Sequence, residues 1–530
     1  MLITEILARN ARMYGRETAL IERSPAENLR REINWEEFDR QSNQLARALI
    51  AAGVKKGDRV VQLMTNCLDW LPIYFGILRT GSWAVPLNFR FVAETISRCT
   101  QTAEAQVIIF GEEFIDRINA VKDTLDRTVS TYIFCGHEAV KPEYCHSYHE
   151  LIRQFEPVDP DVDIRIEDDA ALYFTSGTTG DPKATLLTHR NLEFACYIEN
   201  RHHRQNHHDN FLCIPPLYHT GAKMHWFGNF IVGARAVIMK GVEPAWIIEA
   251  ISEEKVTVVW LLVPWALDIL FAIENKDIRL EDFRLDQWRL MHIGAQPVPA
   301  SLVKEWKKIF PHHEYDTNYG LTETTGPGCI HLGRENMHKV GAIGRPGFDW
   351  EARIVDEDLL PVPTGTVGEL AVRGPGVMKK YYKKPEATAE VMKDGWLLTG
   401  DMAKADEDEF IWLVDRKKDI IITGGENIFP VDIESFLFTH PKIHDAAVIG
   451  LPSLRLGEIA AAVVQPKEGQ TLTKEELTEF CSRLPRYKRP RKFIFDQVPR
   501  NPTGKIEKPR LRRKYGGGSA SFQSESPAQK

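Results

Sequence analysis

What this sequence lacks narrows it first. Its eight cysteines, at positions 67, 99, 135, 145, 196, 213, 329 and 481, form no CxxC pair. That spacing excludes a zinc knuckle and a dithiol redox motif, and scattered thiols in so long a chain point to a reducing, cytoplasmic setting. Positive charge is not in excess: 67 Lys and Arg stand against 74 Asp and Glu, a net charge of −7, so no nucleic-acid partner is expected. Long hydrophobic runs are missing as well. The longest, VVWLLVPWALDILFAI at 258–273, is too short for a bilayer and carries Pro264 and Asp268. It reads as a buried strand turning into a core helix, and no transmembrane segment is expected. Glu5, Arg9 and Arg12 interrupt the N-terminus where a secretion signal needs an apolar core. No internal repeat is present.

What remains is the composition of a globular enzyme: 43% apolar and 27% charged residues in a chain of 530. One hydrophobic core stops growing well below that length, so at least two domains are expected. Helical and strand patterns alternate. Residues 35–54 place Phe38, Leu45, Leu49 and Ile50 on one helical face, and a strand follows Asp58. Further strands are predicted at 107–110, 131–134, 171–174, 211–214, 256–263 and 290–293. This alternation predicts an α/β fold with mostly parallel strands. The boundary is placed at the charged segment after Asp415. Residues 1–415 form a large α/β domain of several subdomains, and 416–515 a small α+β domain. Residues 516–530, rich in Gly and Ser, form a tail of disordered composition.

Five short segments carry the chemistry. The strongest is TSGTTGDPK, from Thr175 through Ser176, Gly177, Thr178, Thr179 and Gly180 to Lys183. It follows the apolar strand 171–174. Two glycines free the backbone to wrap a ligand, while the hydroxyls, N–H groups and one lysine suit phosphate oxygens. The Walker A spacing is absent. The second is NYGLTET, where Tyr319 can stack on a flat base beside Gly320 and Glu323 is a hard oxygen donor suited to Mg²⁺. The third is Thr399-Gly-Asp401, a carboxylate after a glycine turn that suits ribose hydroxyls. The fourth is DRKKDIIITGGEN at 415–427. The fifth is NPTGK, which displays Lys505 on a Pro/Gly turn. Each of the last three alone reads equally as a solvated loop.

In order and spacing the five segments resemble those of the adenylate-forming superfamily, over roughly residues 10–513. The resemblance implies a large N-terminal domain and a small mobile C-terminal domain. It also implies an acid–CoA ligase that makes an acyl-adenylate from a carboxylic acid and ATP, then passes the acyl group to coenzyme A. By that resemblance 175–183 grips the ATP phosphates, and Asn318, Tyr319 and Gly320 flank adenine opposite Gly294, Ala295 and Gln296. Thr322 touches the α-phosphate, Glu323 holds Mg²⁺, and Asp401 and Arg416 bind the ribose. Lys418 is the hinge, Gly424 and Gly425 line the pantetheine tunnel, and Lys505 stabilises charge during adenylation. The acyl pocket falls to Tyr218, His219, Met224, Trp226, Trp260, Val263, Ala295 and Gly320, with His219 as gate or as a satisfied core histidine. Trp226 and Trp260 are expected to shorten the pocket, which favours a small or medium, alicyclic or aromatic acid. One departure from the family pattern is Ala184, where glycine is usual after the phosphate-loop lysine; a tighter loop exit is expected.

Alternatives stay open. A stand-alone ligase loading an acyl-carrier protein has the same sequence features. A non-catalytic nucleotide-binding scaffold is disfavoured because Lys183, Glu323, Asp401, Arg416 and Lys505 are all present. The basic run 486–492 suits the CoA phosphates or a solvated face. The His-rich segment 201–208 reads as a solvated loop. Monomer and homodimer are both compatible with the sequence.

Overall fold

The computed structural model describes residues 1–175, 182–294, 298–330, 333, 335–424, 426–500 and 506–516. The chain divides into two compact units. The first comprises Met1–Pro361, Leu370–Thr399 and Ala405–Trp412; the second comprises Val362–Glu369, Gly400–Lys404 and the chain from Leu413 onward. The chain crosses between them inside the strands Gly368–Arg373 and Trp396–Ala405.

The first unit is built on two large sheets. In one, seven strands run in the spatial order Glu314–Asp316, Leu290–Gly294, Val258–Leu262, Asn210–Cys213, Arg235–Met239, Thr18–Ser24 and Leu29–Asn34. All neighbours are parallel except the last pair. The other sheet has eight strands. His146–Ser147, Thr131–Cys135, Val107–Gly111, Arg59–Leu63, Trp83–Pro86 and Asp169–Thr175 are parallel, and Lys183–Thr188 and Lys380–Tyr381 add antiparallel at one edge. Strands covered on both faces read as continuous apolar runs, as Val258–Leu262 does with all five residues buried. That strand runs directly into the helix Val263–Glu274, whose second residue, Pro264, is tolerated because the first helical N–H groups have no partner to lose.

Helices fill the space around the sheets. Asn34 caps Trp35–Ala51, its side chain accepting the Glu37 N–H at 2.8 Å. Trp70–Arg79 is buried along its whole length, as a helix apolar on every face must be. Trp35, Phe75 and Phe230 meet at ring separations of 6.0 and 5.2 Å, which brings Thr220–Phe230 against these two helices. Among the described residues no helix is long and apolar enough to cross a membrane.

The second unit packs Pro430–Leu437 and Lys474–Cys481 on one face of a sheet ordered Glu426–Ile428, Ile421–Thr423, Gly457–Pro466 and Ile443–Ser453, with Lys492–Phe495 pairing Gly457–Pro466. Alternate residues of the long strands divide between two cores, Ala446 and Val448 facing one and Ala447 and Ile449 the other.

Candidate functional site

The phosphate-loop segment is held at both ends by a hairpin. Asp169–Thr175 and Lys183–Thr188 pair antiparallel, with Thr175 opposite Lys183. Ser176, Gly177, Thr178, Thr179 and Gly180 lie outside the described residues. Ala184 belongs to the strand rather than to the loop's exit: it is buried, opposite Phe174, with its methyl in the core of the eight-stranded sheet. A residue not singled out in the sequence, Tyr381, joins this edge opposite Thr185. Its ring centroid lies 4.8 Å from the Lys183 ammonium, and its hydroxyl donates to Glu323 Oε1 at 2.7 Å. Tyr381 thus ties the base of the phosphate loop to the Mg²⁺ candidate.

Glu323 sits in the short turn Thr322–Thr324. Thr324 fixes that turn: its hydroxyl accepts the Leu321 N–H at 2.7 Å and bonds the Gly326 carbonyl at 2.8 Å. The Met378 N–H bonds the Glu323 carbonyl at 2.8 Å. Among the described residues no cation pairs with Glu323. A carboxylate with one oxygen steadied by a neutral phenol and the Thr322 hydroxyl next in sequence is a hard-oxygen set that fits Mg²⁺.

The base and acyl candidates come together one strand away. Asn318–Gly320 pairs antiparallel with Pro327–Ile330, with Tyr319 opposite Cys329 and buried. Gly320 is required, because a Cβ there would sit 2.5 Å from the Gly326 carbonyl oxygen. Gly294 ends the strand Leu290–Gly294; a Cβ there would lie 3.6 Å from Trp260 Nε1. Ala295 and Gln296 lie outside the described residues. Trp260 is fixed on several sides. His225 stacks on it with centroids 4.2 Å apart at 10°, and a Cβ on Gly221 would press its Cη2 at 3.1 Å. Tyr218 packs against His219 and edge-on to Phe89, while Met224 and Val263 are buried.

Trp226 is a correction. Its ring lies 5.8 Å from Phe227 and 5.1 Å from Phe230, in the aromatic core shared with Trp35 and Phe75. One residue along a helix turns a side chain by about 100°, so Trp226 diverges from the His225–Trp260 pair.

Behind this wall is an ionic network. His203, the last residue of the helix His189–His203, presents Nδ1 to Glu199 at 2.9 Å and Nε2 to Asp316 at 3.2 Å. Burial works against its charge, but the two carboxylates outweigh it and hold the imidazole at about 9. Burial likewise opposes charge on Glu199, yet His225 and His203 keep its carboxyl below the usual range. Asn318 Nδ2 lies 3.3 Å from Glu199 Oε1 and 3.1 Å from His225 Nε2. The segment 201–208 is therefore not a solvated loop throughout: its first three residues complete a helix, and His203 is only 5% exposed. The available signal was Glu199 and His203 four apart on one helical face.

On Thr220–Phe230, the helix that carries His225, Lys223 is wholly buried. Its ammonium bonds the carbonyls of Leu217 at 2.9 Å and His219 at 3.2 Å, and faces the rings of Tyr173, Trp70 and Tyr74 at 4.5–5.2 Å. No residue signal in the sequence pointed to it.

In the second unit Arg416 pairs with Asp401 at 2.5 Å. Gly400 adopts φ 73°, and its N–H bonds Glu369 at 3.0 Å, which turns the chain just before Asp401. Gly400, Arg416, Lys417 and Lys418 line an open cleft of about 320 Å³ with a cationic rim. Burial pushes the Asp415 carboxyl up to about 6, against the pull of Lys508 and two backbone N–H groups. Gly424 adopts φ 58°, with its N–H on the Leu456 carbonyl at 2.8 Å. Gly425 and Lys505 lie outside the described residues.

Comparison with known proteins agrees with this arrangement. The AMP-binding enzyme model matches residues 7–382, and the AMP-binding enzyme C-terminal domain model matches 432–505. The chain is 33% identical to a feruloyl-CoA synthase of Amycolatopsis, across 96% of this chain and 98% of the relative. It is 30% identical to the long-chain-fatty-acid–CoA ligase FadD13 of Mycobacterium tuberculosis, across 96% and 98%. Among solved structures it is similar to ATP-bound MatB of Rhodopseudomonas palustris, with a TM-score of 0.86 at 26% identity, covering 98% of this chain and 99% of that one. The chain thus belongs to the AMP-binding enzyme family and is an AMP-forming acyl-CoA synthetase, an acid–thiol ligase.

Proposed function

We propose that the acid is small to medium, alicyclic or aromatic. The observation that carries this is the placement of Trp260. Its indole lies beside Gly221 and Gly294 with His225 stacked on one face, and its remaining surface is taken as the floor of the acyl pocket. A planar acyl group gains offset stacking on such a floor, worth about 0.5–1.5 kcal/mol beyond area burial. A long flexible chain gains no such term and has to pass the indole. The relatives point both ways, one named for an aryl acid and one for long-chain fatty acids.

The roles assigned by motif follow the same reading. Thr175 and Lys183, with Ser176, Gly177, Thr178, Thr179 and Gly180, hold the triphosphate; Tyr319 packs on adenine, between Gly320 and the Gly294–Gln296 turn. Asp401 and Arg416 hold the ribose and Thr322 the α-phosphate. Mg²⁺ bound at Glu323 supplies positive charge to the phosphates. The chain's own part is positioning. His219 orients the carboxylate, and the buried wall around Trp260 keeps water from the mixed anhydride, whose hydrolysis would waste it. Lys505 supplies a cation to the developing charge, an effect of roughly 3–4 kcal/mol for a well-placed donor. The small domain, taken as 416–515 and turning about Lys418, then brings Gly424 and Gly425 to the pantetheine arm. Eight free cysteines suit a reducing cytoplasm.

The test is AMP formation with ATP, Mg²⁺ and CoA over acetate, hexanoate, cyclohexanecarboxylate, benzoate, cinnamate and palmitate. Ring acids with the highest kcat/KM, and matching loss of free thiol, are expected. Palmitate as the best substrate would overturn the ring reading. Pyrophosphate release without thiol loss would move the enzyme to the carrier-loading class. Lys505→Ala should stop adenylation yet still convert supplied acyl-AMP to thioester.

A further inference from the structure

Glu199, His203 and His292 come together from a helix and a strand of the first unit. Glu199 and His203 are one turn apart on His189–His203, and His292 lies on Leu290–Gly294 with Asp316 as its neighbour in the sheet register. One donor atom of each of the three lies within 4.8 Å of the others, and the three residues are 0%, 5% and 1% exposed. We propose that this cluster is a binding site for one divalent transition cation of the zinc class, separate from the Mg²⁺ site at Glu323.

An ion triad alone does not account for the cluster. With both ring nitrogens protonated, His203 would pair with Glu199 and Asp316, although His203 Nε2 and Glu199 Oε2 do not meet hydrogen-bond geometry among the described residues, and this leaves His292 unexplained. Among the described residues neither nitrogen of His292 meets hydrogen-bond geometry, with Asn318 the one polar side chain close to it, although the ring is buried 4.5 Å from His203 and 4.6 Å from His225. Asn318, the polar side chain beside it, already commits its amide to Glu199 and His225. A buried polar ring with no partner in such geometry, aimed at a carboxylate and a second imidazole, is the arrangement a cation would complete.

The chemistry of the donors selects the ion. Two imidazoles and one carboxylate favour zinc-class cations over Mg²⁺ or Ca²⁺, which prefer an all-oxygen shell. Tetrahedral bonds of about 2.0–2.1 Å put donors roughly 3.3 Å apart, so from separations of up to 4.8 Å the side chains need to close by at most about 1.5 Å. The supporting groups are in place. Asp316 Oδ2, 3.2 Å from His203 Nε2, would accept that N–H and turn Nδ1 toward the ion, as carboxylates behind metal-bound histidines do. Glu199 Oε1 is held by Asn318, which leaves Oε2 facing His203. The cation takes the place of one proton on His203, which is released to solvent, so the charge of the cluster with Asp316 rises by one and the two carboxylates neutralise the ion. Because Asn318 precedes Tyr319, the ion would brace the strand expected to carry adenine.

The experiment uses the full chain purified without chelators or an affinity tag that binds metal. Elemental mass spectrometry should find about one zinc per chain. After chelation, added Co²⁺ should give the intense visible absorption of a tetrahedral site, unaffected by excess Mg²⁺. His292→Phe should remove both signals. A wild-type protein that holds no transition metal and takes up neither Zn²⁺ nor Co²⁺ stoichiometrically overturns the site, as does full Co²⁺ uptake by His292→Phe. If His292→Phe does not fold, the wild-type zinc content and Co²⁺ spectrum decide alone. None of these readouts depends on which acid the enzyme activates.

Discussion

The helix Thr220–Phe230 buries a basic side chain on each of two faces, and the protein treats them in opposite ways. On one face His225 joins Glu199, His203, Asp316 and Asn318, where each charge has a partner within 3.6 Å. On the other, among the described residues Lys223 meets no carboxylate but two carbonyls and three aromatic rings. Burial drives the Lys223 amine well below its usual range, while the opposing carboxylates keep His203 charged despite equal burial. Depth alone therefore does not decide ionisation; the presence of a counter-charge does. The two faces also serve different ends. The ionic face positions strands that carry Asn318 and His292. The lysine face staples the Leu217–His219 backbone, and so the proposed gate, to the core.

Four changes would break or sharpen that contrast. Glu199→Ala should have the largest effect, because in the metal-free chain it strips a buried imidazolium of its partner; a loss of about 3–5 kcal/mol in urea unfolding of chelated protein is expected. A loss below about 1 kcal/mol would show that the network carries no charge. Lys223→Met should do the opposite at neutral pH. Relief of amine desolvation offsets two hydrogen bonds of about 1 kcal/mol each, so stability is unchanged or rises by about 1–2 kcal/mol. The sign with pH follows from the amine's lowered folded pKa. The unfolded chain binds the extra proton, so wild-type stability rises with pH up to the unfolded value, at most about 1.4 kcal/mol per unit. The neighbouring Cys213, Tyr74 and Tyr173 are all pushed upward by burial and stay neutral over that range. The advantage of Lys223→Met should therefore shrink between about pH 7 and 9.5; a constant difference would mean the amine is charged throughout.

Gly221→Ala tests the wall between the two faces. Its Cβ would meet Trp260 Cη2 at 3.1 Å, so the indole or the helix must shift. The expected result is a KM for the acid raised roughly tenfold, about 1.4 kcal/mol, with KM for ATP unchanged. Equal change in both would place Trp260 outside the acyl pocket. The smallest effect is expected for Tyr381→Phe, which removes one neutral hydrogen bond to Glu323. A fall of about fivefold in kcat/KM for MgATP, near 1 kcal/mol, should follow, relieved in part by higher Mg²⁺. No change would separate Tyr381 from the metal candidate.

Several of these residues were invisible to sequence reasoning for a common cause. Tyr381 is 58 residues from Glu323 in sequence, and Asn318 is 119 from Glu199. Neither pair leaves a local pattern, since in one a strand meets the Thr322–Thr324 turn and in the other a strand meets the helix His189–His203. Trp226 misled because its neighbour His225 does face Trp260, and helical geometry sends adjacent side chains to different surfaces. The loop reading of 201–208 failed because a histidine cluster looks hydrophilic until carboxylates bury it.

The sequence by itself determined the order of chemistry-bearing segments, the α/β class and the strand-to-helix passage at 258–274, since contiguous strings and apolar periodicity set these locally. Only the tertiary structure decided which side chains share a wall with Trp260, which histidine is buried between two carboxylates, and that a lone lysine lies in an aromatic box. Those outcomes depend on desolvation and counter-charge at one point in space, and no stretch of sequence contains all the partners that meet there.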